Sequence, residues 1–277
     1  MTLLDEPVPF SEAVKFLAQK KILPTGLDSA GIRAMDANLR SQALLSAKTL
    51  NPFLLQKYKD LVGSLINPAT EQREDRITEE NPQGNVTTGL NPASSRAQIK
   101  EFFQSIGLTP SGSAGNLQDL TSDARINLVI RTNTELAQGA GRFVQMNDPA
   151  VIDQFPAQEL VRFEPRTKIR DWPERWAAAA DESGDTDAAD VLENTGRMVA
   201  LKASPIWDSL GDGAGGYDDT LGNPYPPFAF NSGMWVQSVS RDDAEQLGLI
   251  APGDKVEAHP LDLTKLFSTG ASRTGNE

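Results

Sequence analysis

The sequence contains no cysteine and a single histidine, His259, among its 277 residues. Without cysteine the chain has no disulfide, no thiolate metal ligand, no iron–sulfur cluster and no thiol nucleophile. A Ser-His-Asp triad or a multi-histidine zinc site would depend on that one histidine. The composition therefore disfavours most hydrolase chemistries. We expect no enzyme activity, no required metal and no cofactor, and carboxylate chemistry is the remaining alternative.

Long apolar runs are also missing, since none approaches the roughly 20 residues of a membrane-spanning helix. The N-terminal residues carry neither the basic nor the apolar region of a secretory signal, so a cytoplasm is the expected site of synthesis. Hydrophobic residues make up 39% of the chain, which is enough to close a core. We expect a folded protein that needs neither a membrane nor a small-molecule substrate.

Negative charge is distributed unevenly. The net charge is −12, yet residues 1–110 hold equal numbers of acidic and basic side chains, so the excess lies in residues 111–277. Ten acids and two bases fall between Asp181 and Asp219. Such a surface repels phosphate backbones, which disfavours broad DNA binding by this half. A solvated acidic face is the preferred interpretation, with a dedicated cation site as the alternative.

The first 67 residues predict a helical arm. One helix begins at Phe10 and ends near Ile22. A second follows Asp28 and continues through Leu45, because apolar residues recur at spacings of three and four. Helices this short need a packing partner, either within the chain or on another protein.

A third helix of the arm has the clearest boundaries. Asn51 is its expected N-cap, Pro52 its first residue, and Asn67 precedes the proline that ends it. Its apolar stripe is a candidate partner-binding surface, with intramolecular core as the equal alternative. The stripe consists of Leu54, Tyr58, Leu61 and Leu65.

Residues 68–95 are rich in charge, proline, glycine and serine, and their periodicity is lost. This composition predicts a linker and the main domain boundary. A helix from about Ser95 to Ile106 follows it. The strongest periodic signal then runs from Asn116 to Met146 and predicts one long central helix.

Shorter segments occupy the rest of the chain. Strands are predicted at Phe155–Phe163, Gly196–Leu201 and Met234–Val239, with Phe228–Phe230 as a further candidate before an Asn231-Ser-Gly turn. A helix begins near Arg170, and a last one is opened by Ser240 and ended by Gly248.

The expected fold class is therefore helix-rich α+β. Its parts are a helical arm at 1–67, a linker at 68–95, a mixed body at 96–262 with a long central helix and short strands, and a flexible tail at 263–277.

Arg131 and Glu135 lie four residues apart on one face of the long helix. A surface ion pair worth about 0.3–0.5 kcal/mol is the simplest interpretation. Because the arginine precedes the glutamate, which is the weaker orientation, helix stabilisation is a poor reason for the pair. We expect both residues to act structurally by tying the helix to the body that follows.

Four aspartates, Asp208, Asp212, Asp218 and Asp219, surround a glycine-rich loop at 211–216. EF-hand spacing is absent, so a solvated loop is preferred over a loose Ca²⁺ or Mg²⁺ contact. Aromatic residues concentrate in two other segments, Asp171–Trp176 and Pro224–Phe230. We prefer the interpretation that these aromatic rings pack in the core beneath proline-rich turns, and recognition surfaces are the alternative.

Several segments of the sequence resemble segments of a known protein family. Arg131-Thr-Asn-Thr-Glu135, followed by Gly141-Arg-Phe143, resembles the Arg-Thr-Glu helix of the phage head morphogenesis family, the minor head proteins of the phage Mu type. Asp153–Arg162, Arg170–Trp176, Gly196–Leu201 and Pro226–Met234 resemble a prophage branch of this group, in that order. The likeness covers roughly residues 120–250. The last phrase lacks the histidine and both cysteines of the family's Pro-x-His-x-Asn-Cys-Arg-Cys segment, so no metal or redox role is carried over.

The resemblance implies a low-copy structural capsid protein, located in the virion head near the portal vertex and needed for head assembly or DNA packaging. Its implied partners are the portal protein and other head or neck components, met in the host cytoplasm during assembly. The implied structural motif residues are Arg131, Glu135, Trp172, Trp176, Pro227, Phe228 and Asn231. A head–tail connector ring is the first alternative. A hydrolase or nuclease carried in the virion is the second, although few residues follow Val236 to form another domain.

The charge pattern suggests how such a protein would assemble. Residues 1–110 are net neutral, so we expect the arm to dock on a partner while the acidic body faces other components. A local basic run within the body could make a peripheral contact with packaged DNA. It consists of Arg162, Arg166, Lys168 and Arg170.

Overall fold

The computed structural model describes residues 11–35, 42–67, 92–110, 114–166 and 169–260. In this part of the chain helices predominate and a small three-stranded sheet is present, which confirms the helix-rich α+β class. The chain divides into two compact units, unit 1 at residues 1–141 and unit 2 at residues 142–277. This division differs from the predicted one, because the helices on either side of the 68–95 segment pack together in unit 1. Residues 68–91 of the predicted linker lie outside the described residues.

Unit 1 is built from helices. They are α1 (Ser11–Gln19), α2 (Ser29–Arg33), α3 (Pro52–Ile66), α4 (Pro92–Ser105) and most of α5 (Asp123–Met146). The boundaries of α3 are as predicted, since the Asn51 side chain accepts hydrogen bonds from the backbone N–H groups of Phe53 and Leu54. Helices α1 and α4 both pack against α3.

The second helix is shorter than predicted. It ends at Arg33, and the segment from Ala43 to Ala47 is extended and buried rather than helical. The Leu44 backbone N–H donates to the Lys21 carbonyl at 3.1 Å, and Ala43 forms a parallel bridge with Lys21. The apolar residues of this segment, which we call the extended strap, are therefore buried without forming a helix, and the prediction of a helix through Leu45 is wrong.

The long helix also begins later than predicted, at Asp123 instead of Asn116. The Asn116 side chain accepts from the Gln118 N–H at 2.8 Å, and the Asp119 side chain accepts from the Thr121 N–H at 2.9 Å. These local bonds offer the backbone an alternative to the helix. The helix starts where the Ser122 hydroxyl accepts from the Arg125 N–H at 3.1 Å.

Unit 2 combines short helices with a sheet. Its elements are α6 (Pro149–Gln154), β1 (Ala157–Arg162), α7 (Trp172–Ser183), α8 (Thr186–Thr195), β2 (Val199–Leu201), α9 (Ile206–Asp212), β3 (Met234–Val239) and α10 (Arg241–Gln246). The three predicted strands and the helices at Trp172 and Ser240 are confirmed. Helix α8 was not predicted, and the glycine-rich segment begins as the end of α9. Gly211 is required there, because a Cβ would lie 2.2 Å from the Asn223 carbonyl oxygen.

The sheet has the order β2-β1-β3, with both pairings antiparallel. Alternate residues of β1 enter two separate cores, since successive side chains of a strand point to opposite faces. Leu160 joins the aromatic core with α7 and α9, whereas Ala157 joins a smaller core with α10. Of the Phe228–Phe230 candidate strand, only Ala229 forms a bridge, to Thr220. The predicted tail at 263–277 lies outside the described residues.

Candidate interaction surfaces

The predicted partner-binding stripe of α3 lies inside unit 1. Leu54 is 1% exposed, Tyr58 2% and Leu61 2%, and Leu65 is half-buried. The stripe is covered because α1 and α4 pack against this helix. This burial corrects the docking interpretation, since the stripe is intramolecular core and offers no free apolar surface in this conformation.

Other apolar side chains of this region are exposed. Phe53 is 73% exposed, Leu50 69% and Leu27 43%. The Leu27 carbonyl accepts from the Lys48 N–H at 2.8 Å, so the loop that carries Leu27 lies beside the segment that leads to Leu50. Helical periodicity could not identify Leu27 and Leu50, because Leu27 lies before the start of α2 and Leu50 lies before the start of α3. An apolar contact at this edge of unit 1 would use these side chains rather than the stripe.

The predicted motif residues of α5 pair with each other. The Arg131 Nε donates to the Glu135 Oε1 at 2.6 Å, and the two side chains are 33% and 21% exposed. Between them lies Asn133, which is 3% exposed. Its Oδ1 accepts from the Leu45 N–H at 3.0 Å, and its Nδ2 donates to the Leu45 carbonyl at 2.9 Å. Asn133 therefore ties α5 to the extended strap, a role that its position in the sequence did not reveal.

The predicted aromatic motif residues lie in the core of unit 2. Trp172 is 2% exposed, and Trp176 and Phe228 are 0% exposed. The Trp207 ring lies 5.1 Å from Trp176, edge to face, and 5.9 Å from Phe228 in a stacked arrangement. Pro227 is also buried. The core interpretation of these aromatics is therefore confirmed.

Asn231 has a different role from the other motif residues, because it is exposed and its backbone is left-handed, with φ of 52°. Its carbonyl accepts from Arg166 Nε at 3.0 Å and from Arg170 Nη1 at 3.3 Å. The N–H groups of Phe163 and Glu164 both donate to the carbonyl of Gly233. The connection between β1 and α7 is thereby fixed to the turn that carries Asn231.

Arg170 of this connection and Arg175 of α7 share one carboxylate. Arg175 binds Asp219 through two nitrogens, at 2.7 and 3.2 Å, and Arg170 Nε lies 2.8 Å from the same carboxylate. The Arg175 guanidinium also lies 4.0 Å from the centre of the Tyr217 ring. Burial lowers the pKa of Arg170, Asp219 opposes that change, and Arg175, Arg166 and Arg162 add to it. Arg166 in turn pairs with Glu164, its Nη1 lying 2.8 Å from Oε2, so the arginines of this region are paired with at least two carboxylates.

Large apolar side chains stand beside these arginines. Phe163 is 73% exposed and Ile169 75% exposed. We call the surface formed by Arg162, Phe163, Arg166, Ile169 and Arg170 the basic loop. Lys168, the remaining member of the predicted basic run, lies outside the described residues. Arginine next to exposed apolar side chains is typical of surfaces that bind a partner.

A groove of about 380 Å³ lies between α7 and α8 of the same unit. Its apolar lining includes Ala177, Ala180, Ala189 and Leu192. Asp181 and Glu193 are exposed on its rim, while Asp185 caps α8 by accepting from the Ala188 N–H at 2.9 Å. We call this feature the acidic groove. It is apolar inside and negative at its edge, which is the complement of the basic loop.

The four aspartates near the glycine-rich loop do not form a metal site. No group of three or more His, Cys, Asp or Glu side chains that could hold a metal ion occurs among the described residues. Asp219 binds the two arginines, and Asp208 Oδ2 lies 3.1 Å from His259 Nε2. His259 is 5% exposed and packs edge-on against Phe143, with 5.3 Å between ring centres. The single histidine is therefore part of the packing of unit 2.

No described helix combines the length and apolar character that crossing a membrane requires. Comparisons of the chain with models of known families, with curated proteins and with solved structures gave no match.

Proposed function

We propose that the chain is a structural minor head protein of a tailed bacteriophage or prophage, placed in the virion head near the portal vertex. The observation that carries the proposal is that the family-like segments meet in one core. Trp176 from the second of these segments and Phe228 from the last both contact the ring of Trp207. The Trp207 Nε1 donates to the carbonyl of Leu201, which ends the third segment, at 2.9 Å. Such contacts are expected if these segments form one structural module of the kind that the resemblance implies.

The charged side chains of these segments also support a structural role. Arg170 and Arg175 bind Asp219, and Arg197 Nη2 lies 2.7 Å from Glu159 Oε2 across the sheet. The hydrogen bond from Arg197 lowers the pKa of Glu159, so this carboxylate stays ionised and bound to its partner. Charges engaged in this way fix the positions of loops and strands. We propose that the protein acts by assembly and not as an enzyme.

The proposed partners are the portal protein and other head or neck components. Packaged DNA is a further, peripheral partner, and the basic loop is the surface that would meet it because the rest of unit 2 is acidic. The protein would be made in the host cytoplasm and enter the particle during assembly.

A test requires a phage or prophage that carries this sequence. We expect a stop codon in the gene to reduce the number of DNA-filled heads seen by electron microscopy, and plasmid-borne wild-type protein to restore it. Mass spectrometry of purified particles should find the chain at a few copies per portal vertex. Normal, infectious particles without the protein, or purified particles that never contain it, would refute the proposal.

A head–tail connector ring is a second candidate, favoured by the complementary charge of the basic loop and the acidic groove. Both features lie on unit 2 but at different places in the chain, so a contact between them on two copies is heterologous. Heterologous contacts generate rings when the rotation closes. Under this candidate a second copy of the chain is the occupant of the groove.

Two variants separate these candidates. The loop variant Phe163→Ser/Ile169→Ser and the groove variant Ala189→Asp/Leu192→Asp each keep one intact surface. If a ring forms, wild-type protein associates as its concentration rises, each variant alone is monomeric, and their mixture gives a one-to-one dimer by light scattering. Added salt should weaken this dimer. Wild-type protein that stays monomeric at all concentrations would exclude self-assembly and leave the low-copy minor protein.

A further inference from the structure

A cavity of about 420 Å³ lies in unit 1, beside α2, the extended strap and the N-terminal part of α5. Its apolar lining includes Ala47, Leu117, Leu120 and Leu128. Two cations, Lys48 and Arg125, also line it. Its volume is within the range of small-molecule sites, which is about 300–1,000 Å³. We propose that this cavity binds a small organic anion, a carboxylate with a short apolar body, through Arg125 and Lys48.

Arg125 is the first observation that points to an anion. Its side chain belongs to a residue only 9% exposed, and no carboxylate pairs with it within the described residues. Its Nη2 donates to the Ala47 carbonyl and lies 3.5 Å from the Ser46 hydroxyl, while its Nε has no hydrogen-bond partner. Neutral oxygens alone compensate a buried cation poorly. A bound anion would supply the missing charge.

Within the described residues, Tyr58 is the titratable group that acts electrostatically on Arg125. Tyr58 does not provide a negative charge, because burial raises the pKa of its phenol far above neutral pH. Burial also lowers the pKa of Arg125, in the direction expected for a cation without a counterion. Arg125 therefore has no charged counterion of its own among the described residues of unit 1.

Lys48 is the second, independent observation. It is a non-glycine residue with a left-handed backbone, with φ of 52°, which is uncommon for a residue with a Cβ. The conformation is held because its N–H donates to the Leu27 carbonyl at 2.8 Å. Strained residues of this kind cluster at ligand sites. The strain here places a second, exposed cation at the cavity beside the strap that Arg125 binds.

One carboxylate, Asp28, also lines the cavity. Its Oδ1 accepts from the Gly31 N–H at 2.9 Å and so caps α2. Two cations against one carboxylate that already serves as a helix cap favour an anion. The apolar wall favours an organic anion over a fully hydrated inorganic one. The inference concerns unit 1 alone, so neither its success nor its failure bears on the proposed role in the virion.

The test uses the full chain and titrates it with sodium hexanoate, inorganic phosphate and sodium chloride at equal ionic strength. Isothermal calorimetry measures saturation, and ¹H–¹⁵N NMR locates the shifted amides. We expect saturable binding of hexanoate with shifts at residues 47–48 and 117–128, weaker binding of phosphate, and no saturable effect of chloride. Equal responses to all three salts would mean charge screening only and would overturn the proposal.

Lys48→Asn is the decisive variant, because asparagine tolerates the left-handed conformation while the positive charge is removed. We expect it to fold normally and to weaken hexanoate binding about fivefold or more, the effect of losing one charge-assisted contact. Lys255→Asn, which removes an exposed lysine of unit 2, should leave binding unchanged. Arg125→Met should abolish binding if it folds, and if it does not fold the Lys48→Asn result alone decides. Hexanoate binding that is equal in Lys48→Asn and wild type would refute the site.

Discussion

The two units bury polar groups in different ways. Unit 1 encloses single polar side chains, Asn133 and Arg125, whose hydrogen bonds hold an extended strap against helices. Unit 2 encloses a cluster of aromatic rings and ties Arg175, which is 8% exposed, to Asp219. Both units bury many apolar side chains, so they differ in what is added to that burial: single hydrogen-bonded polar side chains in unit 1 and stacked aromatic rings in unit 2. The largest effects of substitution should differ between the units accordingly.

Each unit also buries a lysine. Burial lowers the pKa of Lys20 in unit 1 to about 7, with its Nζ 4.3 Å from the centre of the Phe16 ring. In unit 2, burial and the charge of Arg142 lower the pKa of Lys202 to about 8, and its Nζ donates to the Met146 carbonyl at 3.0 Å. Both lysines oppose folding when charged, so the units should respond to pH in the same direction.

The two units can be followed separately by spectroscopy. All four tryptophans, Trp172, Trp176, Trp207 and Trp235, lie in unit 2. Tryptophan fluorescence therefore reports on unit 2, while far-ultraviolet circular dichroism reports on the helices of both units. A transition seen by dichroism but not by fluorescence belongs to unit 1.

The largest effect is expected for Trp207→Ala in unit 2. Trp207 is 0% exposed and contacts both Trp176 and Phe228, so its removal leaves a large cavity. We expect a loss of about 3–5 kcal/mol in the free energy of unfolding, measured by denaturant titration with fluorescence detection. Trp235→Ala, at a half-buried position, is the matched control and should cost clearly less. Equal losses would contradict the aromatic core as the main source of stability.

The next effect is expected for Asn133→Ala in unit 1. The substitution leaves the buried N–H and carbonyl of Leu45 without their partner, so the free energy of unfolding should fall by about 2–3 kcal/mol. The loss should appear in the dichroism transition, with the fluorescence midpoint unchanged. Thr134→Ala, which removes one hydroxyl bond to the Ile130 carbonyl on the same helix, is the control. A similar loss in both variants would mean that the strap does not depend on Asn133.

The contrast between Asn133 and the α3 stripe shows what the sequence could predict. Helical spacing located α3 because four apolar residues follow one another at spacings of three or four and Asn51-Pro52 marks its start. The strap could not be located in this way, since Ala43–Ala47 is as apolar as a helix and its bonds go to residues distant in sequence, such as Asn133, 88 residues away from Leu45. Local patterns predict elements, but long-range hydrogen bonds leave no local pattern.

The surfaces show a related limit. Periodicity identifies the apolar face of a helix but does not show whether another part of the chain covers that face. The same spacing of Leu54, Tyr58 and Leu61 therefore fits both a docking surface and the buried core that the structure shows. The basic loop could be predicted from the sequence as a run of arginines. The acidic groove could not, because its lining comes from two helices, α7 and α8, that are brought together only in the folded structure. Helix α8 carries many acidic and few large apolar residues, so its sequence is also typical of a solvent-exposed segment and does not predict a helix.

A third prediction concerns pH and Lys20. The pKa of Lys20 falls from 10.5 to about 7 on folding, so between these values the unfolded chain binds more protons than the folded one. The free energy of unfolding of unit 1 should therefore rise with pH over this range, by at most about 1.4 kcal/mol per pH unit, and lose this slope below pH 7 where both states are charged. Lys20→Met should remove the slope and stabilise the unit at pH 7. Lys15→Met, at an exposed position of α1, should retain it, and a flat wild-type profile would contradict the prediction.

The smallest effect is expected for the Arg131–Glu135 pair. The two side chains are partly exposed, and the arginine precedes the glutamate, so their contact at 2.6 Å should contribute little. A double-mutant cycle of Arg131→Ala and Glu135→Ala should give a coupling energy of about 0.3–0.5 kcal/mol that declines as salt is added. A coupling above about 1.5 kcal/mol would instead be typical of a buried, specific contact. Such a value would contradict the interpretation of this contact as a weak, partly exposed ion pair.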